Sequence, residues 1–337
     1  MHRRGRLLVV ALMLSSACHK SSGNPFDTTG SSRPPSANAQ VLFTSASWST
    51  EAGQPRELLA LDTDGTTLER LTSCATAAQP CEVLQFALSP DSTRAAVVRS
   101  QVNGAPGTST LYFMDLSRSV EKLLFTSQRV SFVDWSPDGS FLVYTSPGSQ
   151  QTDVEDLYLS APDGTNNQNL TQTNTVRERN ARIDPLGQNA VYERLDETGV
   201  GRIYLFQQTP LTSGPATGPA LPGTLYVVGC DADPAFSPDG TTVVFRRLTG
   251  AGNGALGTWD LMKVKGDGTP AQVVLSGGGV YRGAPDWGKS GIVFVETDAA
   301  AELSRLVVVQ PDGSGRQVLR EEPAASGMMS PRWAPGR

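Results

Sequence analysis

The sequence predicts an all-β chain, a six-bladed β-propeller of four-stranded antiparallel blades, closed by pairing of the N-terminal and C-terminal strands. Three observations support this prediction. A motif recurs about every fifty residues along the 337-residue chain. The composition favours turns over helices, with 34 Gly and 23 Pro. The first and last β segments each supply one half of the same repeat unit.

Residues 1–17 have the organisation of a secretory signal peptide. Three arginines precede the apolar run Leu7–Leu14, and small residues follow up to Cys18. The apolar run is too short to span a bilayer as a mature helix. The small residues before Cys18 resemble a bacterial lipobox, in which this cysteine carries the acyl chains. The alternative is an ordinary signal peptide cleaved near Ala17, with Cys18 left as a plain thiol.

Residues 18–39 are expected to form a lipid-anchored flexible linker. This segment is rich in Ser, Gly, Pro, Thr and Asn, and it cannot bury enough apolar surface to offset its ordering entropy. Residues 40–337 are expected to form the propeller. We therefore predict an exported protein, lipid-anchored in the bacterial envelope, on the periplasmic face of the outer membrane or on the cell surface.

The cysteines fit an oxidising compartment. Cys74 and Cys81 are expected to form a disulfide that closes a short loop, which leaves Cys230 over. The alternative is that all three are reduced, with Cys230 a small buried apolar residue. No metal or cofactor is expected, because CxxC spacing is missing and both histidines, His2 and His19, precede the propeller.

The repeat unit consists of an aromatic or aliphatic leading residue, a Ser-Pro-Asp-Gly-like turn and a β-branched apolar strand. The clearest copies begin at Trp135 and Phe236. The six leading positions are Leu88, Trp135, Ile183, Phe236, Trp287 and Trp333. Their spacings of 47, 48, 53, 51 and 46 residues suit blades of four strands, so six blades are predicted.

The sequence of the turn favours a β-hairpin. Pro fixes φ at the second position, Asp tolerates the third, and Gly takes the left-handed conformation that lets the next strand pair back. The aspartates of these turns are therefore predicted to be structural. The Asp62-x-Asp64-Gly65 segment lacks the downstream acidic residues of a calcium loop and is also read as a turn.

The two ends of the propeller complement one another. Gln40–Thr44 looks like the second strand of a unit whose first half is missing, and Pro331–Pro335 supplies that half. Joining them completes the sixth blade and removes sheet edges that would invite aggregation.

The pattern x-Pro-x-Trp/Phe-Ser-Pro-Asp-Gly, seen from Asp233 onward and again around Ala284–Trp287, resembles the repeat of the TolB-like β-propeller family, also called the WD40-like β-propeller repeat. The resemblance covers residues 40–337 and implies the propeller fold. TolB itself carries an additional N-terminal α/β domain, and residues 19–39 are too short to hold one.

A four-stranded blade places its first and third turns on one side of the ring, called here the turn face. Its second turn and the crossover to the next blade lie on the other side, the loop face. We expect every short Asp-Gly turn on the turn face and the long polar insertions on the loop face. These insertions are Arg99–Thr110, Ser146–Glu155, Thr209–Gly223 and Leu248–Thr258. Such gathered loops usually bind ligands; the alternative is that they are tolerated insertions without a ligand.

The residue before each leading position lies on the strand nearest the central channel. Asp134 and Arg182 belong to adjacent predicted blades, as do Asp286 and Arg332, so inter-blade ion pairs near the axis are expected. The alternative is a charged channel mouth that receives a partner's chain end or a small polar ligand. The other members of such a mouth would be Arg177, Arg179, Asp233, Tyr281 and Arg282.

Two functions are compatible with these features, and a net charge of −5 without a basic cluster in the propeller argues against nucleic acid as a partner. The favoured one is a non-catalytic, monomeric envelope lipoprotein that binds or scaffolds an envelope protein or cell-wall glycan. The other is a hydrolase- or lyase-type propeller enzyme or an accessory subunit of one, since similar propellers accompany prolyl-oligopeptidase hydrolase domains and occur in some polysaccharide lyases. Neither a Gly-x-Ser-x-Gly elbow nor a propeller histidine supports catalysis, although a carboxylate-only mechanism stays open.

Overall fold

A computed structural model of the chain describes residues 35, 38–51, 53–62, 65–74, 80–101, 108–117, 120–125, 129–147, 154–173, 175–207, 230–250, 257–267 and 269–334. The predicted signal peptide, Cys18 and most of the predicted linker lie outside these residues. Within them, no helix has both the length and the apolar character needed to cross a membrane.

The described residues form twenty-three strands. In chain order these are β1 (Ala39–Ser45), β2 (Glu57–Asp62), β3 (Leu68–Arg70), β4 (Cys81–Leu88), β5 (Arg94–Gln101), β6 (Thr110–Asp115), β7 (Val120–Leu123), β8 (Phe132–Trp135), β9 (Leu142–Pro147), β10 (Glu155–Ser160), β11 (Gln168–Asn169), β12 (Arg177–Ile183), β13 (Asn189–Leu195), β14 (Gly201–Gln207), β15 (Asp231–Phe236), β16 (Thr242–Gly250), β17 (Thr258–Lys265), β18 (Gln272–Leu275), β19 (Tyr281–Gly288), β20 (Gly291–Asp298), β21 (Leu303–Val309), β22 (Gln317–Pro323) and β23 (Met329–Trp333). One turn of 3₁₀-helix, Ala324–Ser326, precedes the last strand.

The strands form six antiparallel sheets in a ring, which confirms the predicted six-bladed propeller. Blade 1 has the strand order β23-β1-β2-β3, blade 2 is β4 to β7, and blade 3 is β8 to β11. Blade 5 is β15 to β18 and blade 6 is β19 to β22. Blade 4 shows β12, β13 and β14, and the chain from 208 to 229 that follows lies outside the described part.

The Ser-Pro-Asp-Gly turns follow their predicted chemistry. Gly139 and Gly240 have φ values of 77° and 71°, in the left-handed region that a Cβ disfavours. The Ser136 hydroxyl donates to Asp138 at 2.7 Å, and the Ser140 N–H donates to the same carboxylate at 3.0 Å. The Ser140 N–H and the Ser136 hydroxyl thereby lower the pKa of Asp138. These aspartates hold the turn together.

Pairing of β1 with β23 closes the ring, as predicted. Val41 pairs with Trp333 and Leu42 with Arg332, and the Ala334 N–H donates to the Gln40 carbonyl at 2.9 Å. The Trp333 indole N–H donates to the Gly291 carbonyl of blade 6 at 3.0 Å. Trp333 therefore joins the last strand to the first within blade 1 and also joins blade 1 to blade 6.

The hydrophobic core is divided into six clusters, one at each interface between neighbouring blades. Leu42 of blade 1 packs with Phe86 of blade 2, for example, and Tyr192 of blade 4 packs with Leu157 of blade 3. Each fully buried side chain of this size contributes about 2 kcal/mol. Because the core lies between blades, the inner strands are positioned by packing on both sides.

The described connections follow the predicted division between the two faces. The described ends of Arg99–Thr110, Ser146–Glu155 and Leu248–Thr258 belong to the second and third strands of their blades, and these ends lie at the loop face. The residues 102–107, 148–153 and 251–256 between them, and all of Thr209–Gly223, lie outside the described part. Within the described residues, the Asp-Gly turns at Asp138, Asp163, Asp239 and Asp312 lie on the turn face, as expected. The turn from Asp196 to Val200, whose sequence is Asp-Glu-Thr-Gly-Val, joins β13 to β14 on the loop face. Its geometry is local, with the Asp196 carboxylate accepting two backbone N–H groups, so it can form on either face.

Candidate functional site at the propeller axis

Four charged residues on the inner strands meet at the axis and form a closed ring. Arg182 lies between Asp134, with Nε 3.4 Å from Oδ2, and Asp286, with Nη2 2.5 Å from Oδ1. Arg332 completes the ring, with Nη1 3.5 Å from Asp134 and 4.0 Å from Asp286. Their side chains are only 11–16% exposed. The sequence suggested two separate pairs, whereas the structure joins all four residues.

Each aspartate of this axial ring also ties two blades together through the backbone. Asp134 of blade 3 accepts the Ile183 N–H of blade 4 at 2.9 Å, and Asp286 of blade 6 accepts the Trp333 N–H of blade 1 at 2.8 Å. Burial raises the pKa of the Asp134 carboxyl, and Arg182 opposes that shift. The charges of the two carboxylates and the two guanidiniums cancel, so the ring has no net charge and blocks the channel.

Small cavities flank the axial ring. On the loop-face side a cavity of about 20 Å³ is lined by Gln85, Phe132, Asn180, Asp233 and Ser330. This volume has room for about one water molecule. The Gln85 side-chain oxygen is buried and has no partner among the described residues, so the cavity offers an unused polar group. On the turn-face side a second cavity of about 120 Å³ reaches the same four charges.

β-Bulges in four of the inner strands shape the loop-face cavity. Asn180, Asp233, Ala284 and Ser330 occupy the same place in their repeats, three residues before the leading position, and all have φ between 43° and 54°. The ladder shifts register beside all four residues, in β12, β15, β19 and β23, where two residues oppose one on the neighbouring strand. The left-handed conformation is costly for residues other than Gly, and surrounding packing holds it.

The channel mouth on the loop face is built around Arg246. Its Nε lies 2.6 Å from the Asp233 carboxylate. Its guanidinium lies over the Trp259 ring, 3.9 Å from the centroid, and 5.0 Å from the centroid of Tyr281. The two aromatic rings meet edge to face at 6.4 Å, and both are half-buried. Burial lowers the pKa of Arg246, but Asp233 raises it above its ordinary value, so the guanidinium stays protonated.

A second charged pair extends the mouth towards blade 4. The Asn180 amide donates to Asp233 at 2.8 Å and to Glu193 at 2.9 Å, and Arg179 pairs with Glu193 at 2.9 Å. Burial raises the pKa of Glu193, and Arg179 opposes this shift. A single amide therefore joins the two carboxylates and fixes their separation. The mouth comprises Arg179, Asn180, Glu193, Asp233, Arg246, Trp259 and Tyr281.

Two predicted members of the mouth lie elsewhere. Arg282 is buried and donates to the Trp259 carbonyl at 2.9 Å and to the Gly277 carbonyl at 2.8 Å, so it supports the loops rather than facing the channel. Arg177 is exposed at the start of β12. Conversely, sequence reasoning missed Asn180, Glu193, Arg246 and Trp259. Aligning the repeats three residues before the leading position would have found Asn180, whereas Arg246 lies on a second strand with no repeat signal.

The remaining predicted feature on the loop face is the disulfide. Cys74 and Cys81 are bonded, with their Cα atoms 4.7 Å apart, at the crossover from blade 1 to blade 2. Cys230 is a free thiol, half-buried before β15. Within the described ranges, no group of three or more His, Cys, Asp and Glu side chains could hold a metal ion.

The fold and its plugged axis define a six-bladed propeller with a shallow polar mouth. No protein-family model and no curated protein matches the sequence. TolB from Acinetobacter baumannii is similar in structure, with a TM-score of 0.63 at 17% identity over 89% of this chain and 68% of that one. A putative TolB from Agrobacterium tumefaciens gives 0.59 at 15% over 88% and 99%. A chain of a nidogen–laminin complex gives 0.61 at 12% over 88% and 98%. The chain therefore has a TolB-like propeller fold.

Proposed function

We propose that this chain is a non-catalytic binding protein of the bacterial cell envelope, which docks another protein on its loop face around the axial mouth. One observation carries the proposal: Arg246 is held between Asp233 and the half-buried rings of Trp259 and Tyr281. Arg, Trp and Tyr are the residue types that dominate binding energy in protein interfaces.

The side chains of the mouth are preorganised for binding. Arg246 is fixed by a carboxylate and two rings, so little side-chain entropy remains to be lost on binding. The axial ring closes the channel below the mouth, and the cavity between the mouth and the ring has room for about one water molecule. A partner would therefore cover the mouth with a loop or a chain end, placing one small polar group near Gln85, and would not thread through the propeller.

The direction of the strands is consistent with a loop face that is open to a partner. Inner strands run from the loop face to the turn face, so β1, a second strand, begins at the turn face with Ala39. If Cys18 carries the lipid, the linker approaches from the turn face and the loop face points away from the membrane. The cell surface or the periplasmic face of the outer membrane remains the proposed location.

The axial carboxylates have a structural role that argues against catalysis. Asp134 and Asp286 each engage guanidiniums and one backbone N–H of the next blade. A general acid or base needs an oxygen free to exchange a proton with substrate. We expect no turnover of ester, peptide or uronate substrates by the purified chain. Reproducible turnover that disappears in Asp134→Asn would reverse this assignment.

The docking proposal can be tested by crosslinking the full chain to envelope extracts and quantifying the captured proteins. Trp259→Ala and the exposed Arg177→Glu alter the loop face, and Leu186→Asp alters a turn-face residue that is 73% exposed. Trp259→Ala should weaken capture of a specific partner by at least about tenfold. Leu186→Asp should leave it unchanged. Capture that survives Trp259→Ala and Arg177→Glu but is lost in Leu186→Asp would refute the loop-face site.

A further inference from the structure

A pocket of about 280 Å³ opens on the turn face between blades 5 and 6, away from the axis. Thr242, Lys263, Lys265, Gln272 and Trp287 contribute its polar and aromatic lining. Thr242 follows the Ser-Pro-Asp-Gly turn of blade 5, the lysines lie on β17, and Trp287 is the leading residue of blade 6. This pocket is separate from the loop-face mouth and does not depend on the function proposed for it.

Comparison with blades 2 and 3 shows what leaves room for the pocket. In those two blades the second residue after the turn Gly or its equivalent is long and packs against the leading residue of the next blade. Arg94 places its guanidinium over Trp135, 5.4 Å from the ring centroid, and Phe141 packs in the cluster that contains Ile183. The corresponding residue in blade 5 is Thr242, which is too short to cover Trp287. The indole therefore borders an open pocket and is only partly buried.

The two lysines are also unusual for their place in the repeat. Lys263 stands four residues before the Asp of the Asp-Gly turn, where other blades have Ala60, Leu159 and Val308. Side chains two residues apart on a strand share a side, so Lys263 and Lys265 both point to the interface with blade 6. Lys263 donates to the Pro311 carbonyl across that interface at 2.9 Å, which uses one of its three N–H groups.

The nearby carboxylates are occupied by their own turns. Asp267 accepts the Thr269 backbone N–H and hydroxyl at 3.0 and 2.7 Å, and Asp312 accepts the equivalent groups of Ser314 at 2.9 and 2.6 Å. These turn groups lower the pKa of both carboxyls, and Lys265 near Asp267 and Lys263 near Asp312 add to the effect. Among the described residues neither lysine forms an ion pair within 4 Å, so both ammonium groups keep N–H groups for an anion that enters the pocket. Thr242 and Gln272 add hydrogen-bonding groups that both donate and accept.

We propose that this pocket binds one acidic sugar residue, with the sugar ring on the indole of Trp287 and its carboxylate on Lys263 and Lys265. A partly buried indole at the edge of the pocket offers apolar surface to a sugar ring, and the sugar hydroxyls match Thr242 and Gln272. Charge-assisted hydrogen bonds to the lysines select the carboxylate. The volume lies just below the range of about 300–1,000 Å³ typical of small-molecule sites, which suits a single ring. The ligand class is therefore a uronic acid, free or within a polysaccharide.

Titration of the full chain with glucuronic acid, followed by calorimetry and tryptophan fluorescence, tests the proposal. A dissociation constant of about 1 mM is expected for the monosaccharide, with glucose at least about tenfold weaker. Thr242→Arg should abolish binding because it reproduces the cover that Arg94 gives Trp135. Lys265→Gln should weaken binding about tenfold, whereas the matched control Lys122→Gln, on β7 of blade 2, should not.

Acidic oligosaccharides distinguish the source of the sugar, because tighter binding of a uronate oligomer than of glucuronic acid identifies a polymer as the natural ligand. No saturable binding of either probe would overturn the proposal. Equal binding of glucose and glucuronic acid, or binding of adenosine monophosphate in preference to both, would also overturn it. Circular dichroism of Thr242→Arg must match the wild type; if it does not, Lys265→Gln, an exposed substitution, decides the outcome.

Discussion

Replacing Asp286 should test the structural role of the axial ring. Asp286→Ala removes the carboxylate that Arg182 approaches at 2.5 Å and Arg332 at 4.0 Å, and it leaves the Trp333 N–H without its acceptor. Two guanidiniums then share Asp134 alone. Breaking a buried ion pair costs about 3–5 kcal/mol, and an unsatisfied buried N–H about 1–3 kcal/mol. Because the side chains in the ring keep 11–16% exposure, water reduces both of these energetic costs. We therefore expect the free energy of unfolding to fall by about 4 kcal/mol.

The assay is equilibrium unfolding in urea, followed by circular dichroism and tryptophan fluorescence at constant pH and salt. Asp286→Asn keeps an acceptor for the Trp333 N–H and should lose about 1 kcal/mol less than Asp286→Ala. A double-mutant cycle with Arg182→Met isolates their coupling. The exposed Glu197→Ala serves as the control. A loss below about 1 kcal/mol for Asp286→Ala, or no coupling with Arg182, would contradict the assigned role of the ring.

Three further outcomes are expected. Burial raises the pKa of Glu178 to about 7 from 4.5, so between these pH values the folded chain keeps a proton that the unfolded chain loses. The free energy of unfolding should therefore fall by about 3 kcal/mol as pH rises from 4.5 to 7. Urea unfolding of Glu178→Gln should show a flatter dependence on pH. Replacing Cys74 and Cys81 by Ser opens a short loop and should lower stability by about 2 kcal/mol, measured against reduced wild type, which should match the variant. Gly288→Ala would place its Cβ 2.5 Å from Trp333 and should lower the melting temperature, with a loss of about 1–3 kcal/mol. Gly266→Ala, where a Cβ meets nothing within 4 Å and the backbone has no left-handed φ, is the matched control and should leave the melting temperature nearly unchanged.

The fold could be predicted because its signals are local and repeated. The turn beginning at Ser136 carries its own hydrogen bonds, and the apolar strands that follow such turns recur at blade spacing. Closure by β23 was also visible, because the first and last segments each held half of one unit. The Asp196 turn, which has a different sequence, forms a similar local hydrogen-bonded turn on the loop face. A local turn motif specifies a hairpin but does not specify which face of the ring the hairpin occupies.

The axial site was predictable only in part, because side chains that converge across blades leave no pattern within one blade. The repeat position of Asp134 and Asp286 placed them at the channel. Their shared use of Arg182 depends on how two blades opposite one another face the axis, which no spacing reveals. Arg246 joins the mouth because its long side chain reaches Asp233 from the second strand of the same sheet.

Closure of blade 1 by β23 also has a kinetic consequence. The strand that contains Val41 finds its neighbour at Trp333, almost three hundred residues later in the chain. At about 5–20 residues per second of synthesis, that strand waits on the order of 15–60 s for its partner. If blades 2 to 6 assemble during this time, we expect closure of the ring to be the last step of folding. Contacts of such long sequence separation form slowly, and until then the unpaired strand is the part of the molecule most open to misassociation.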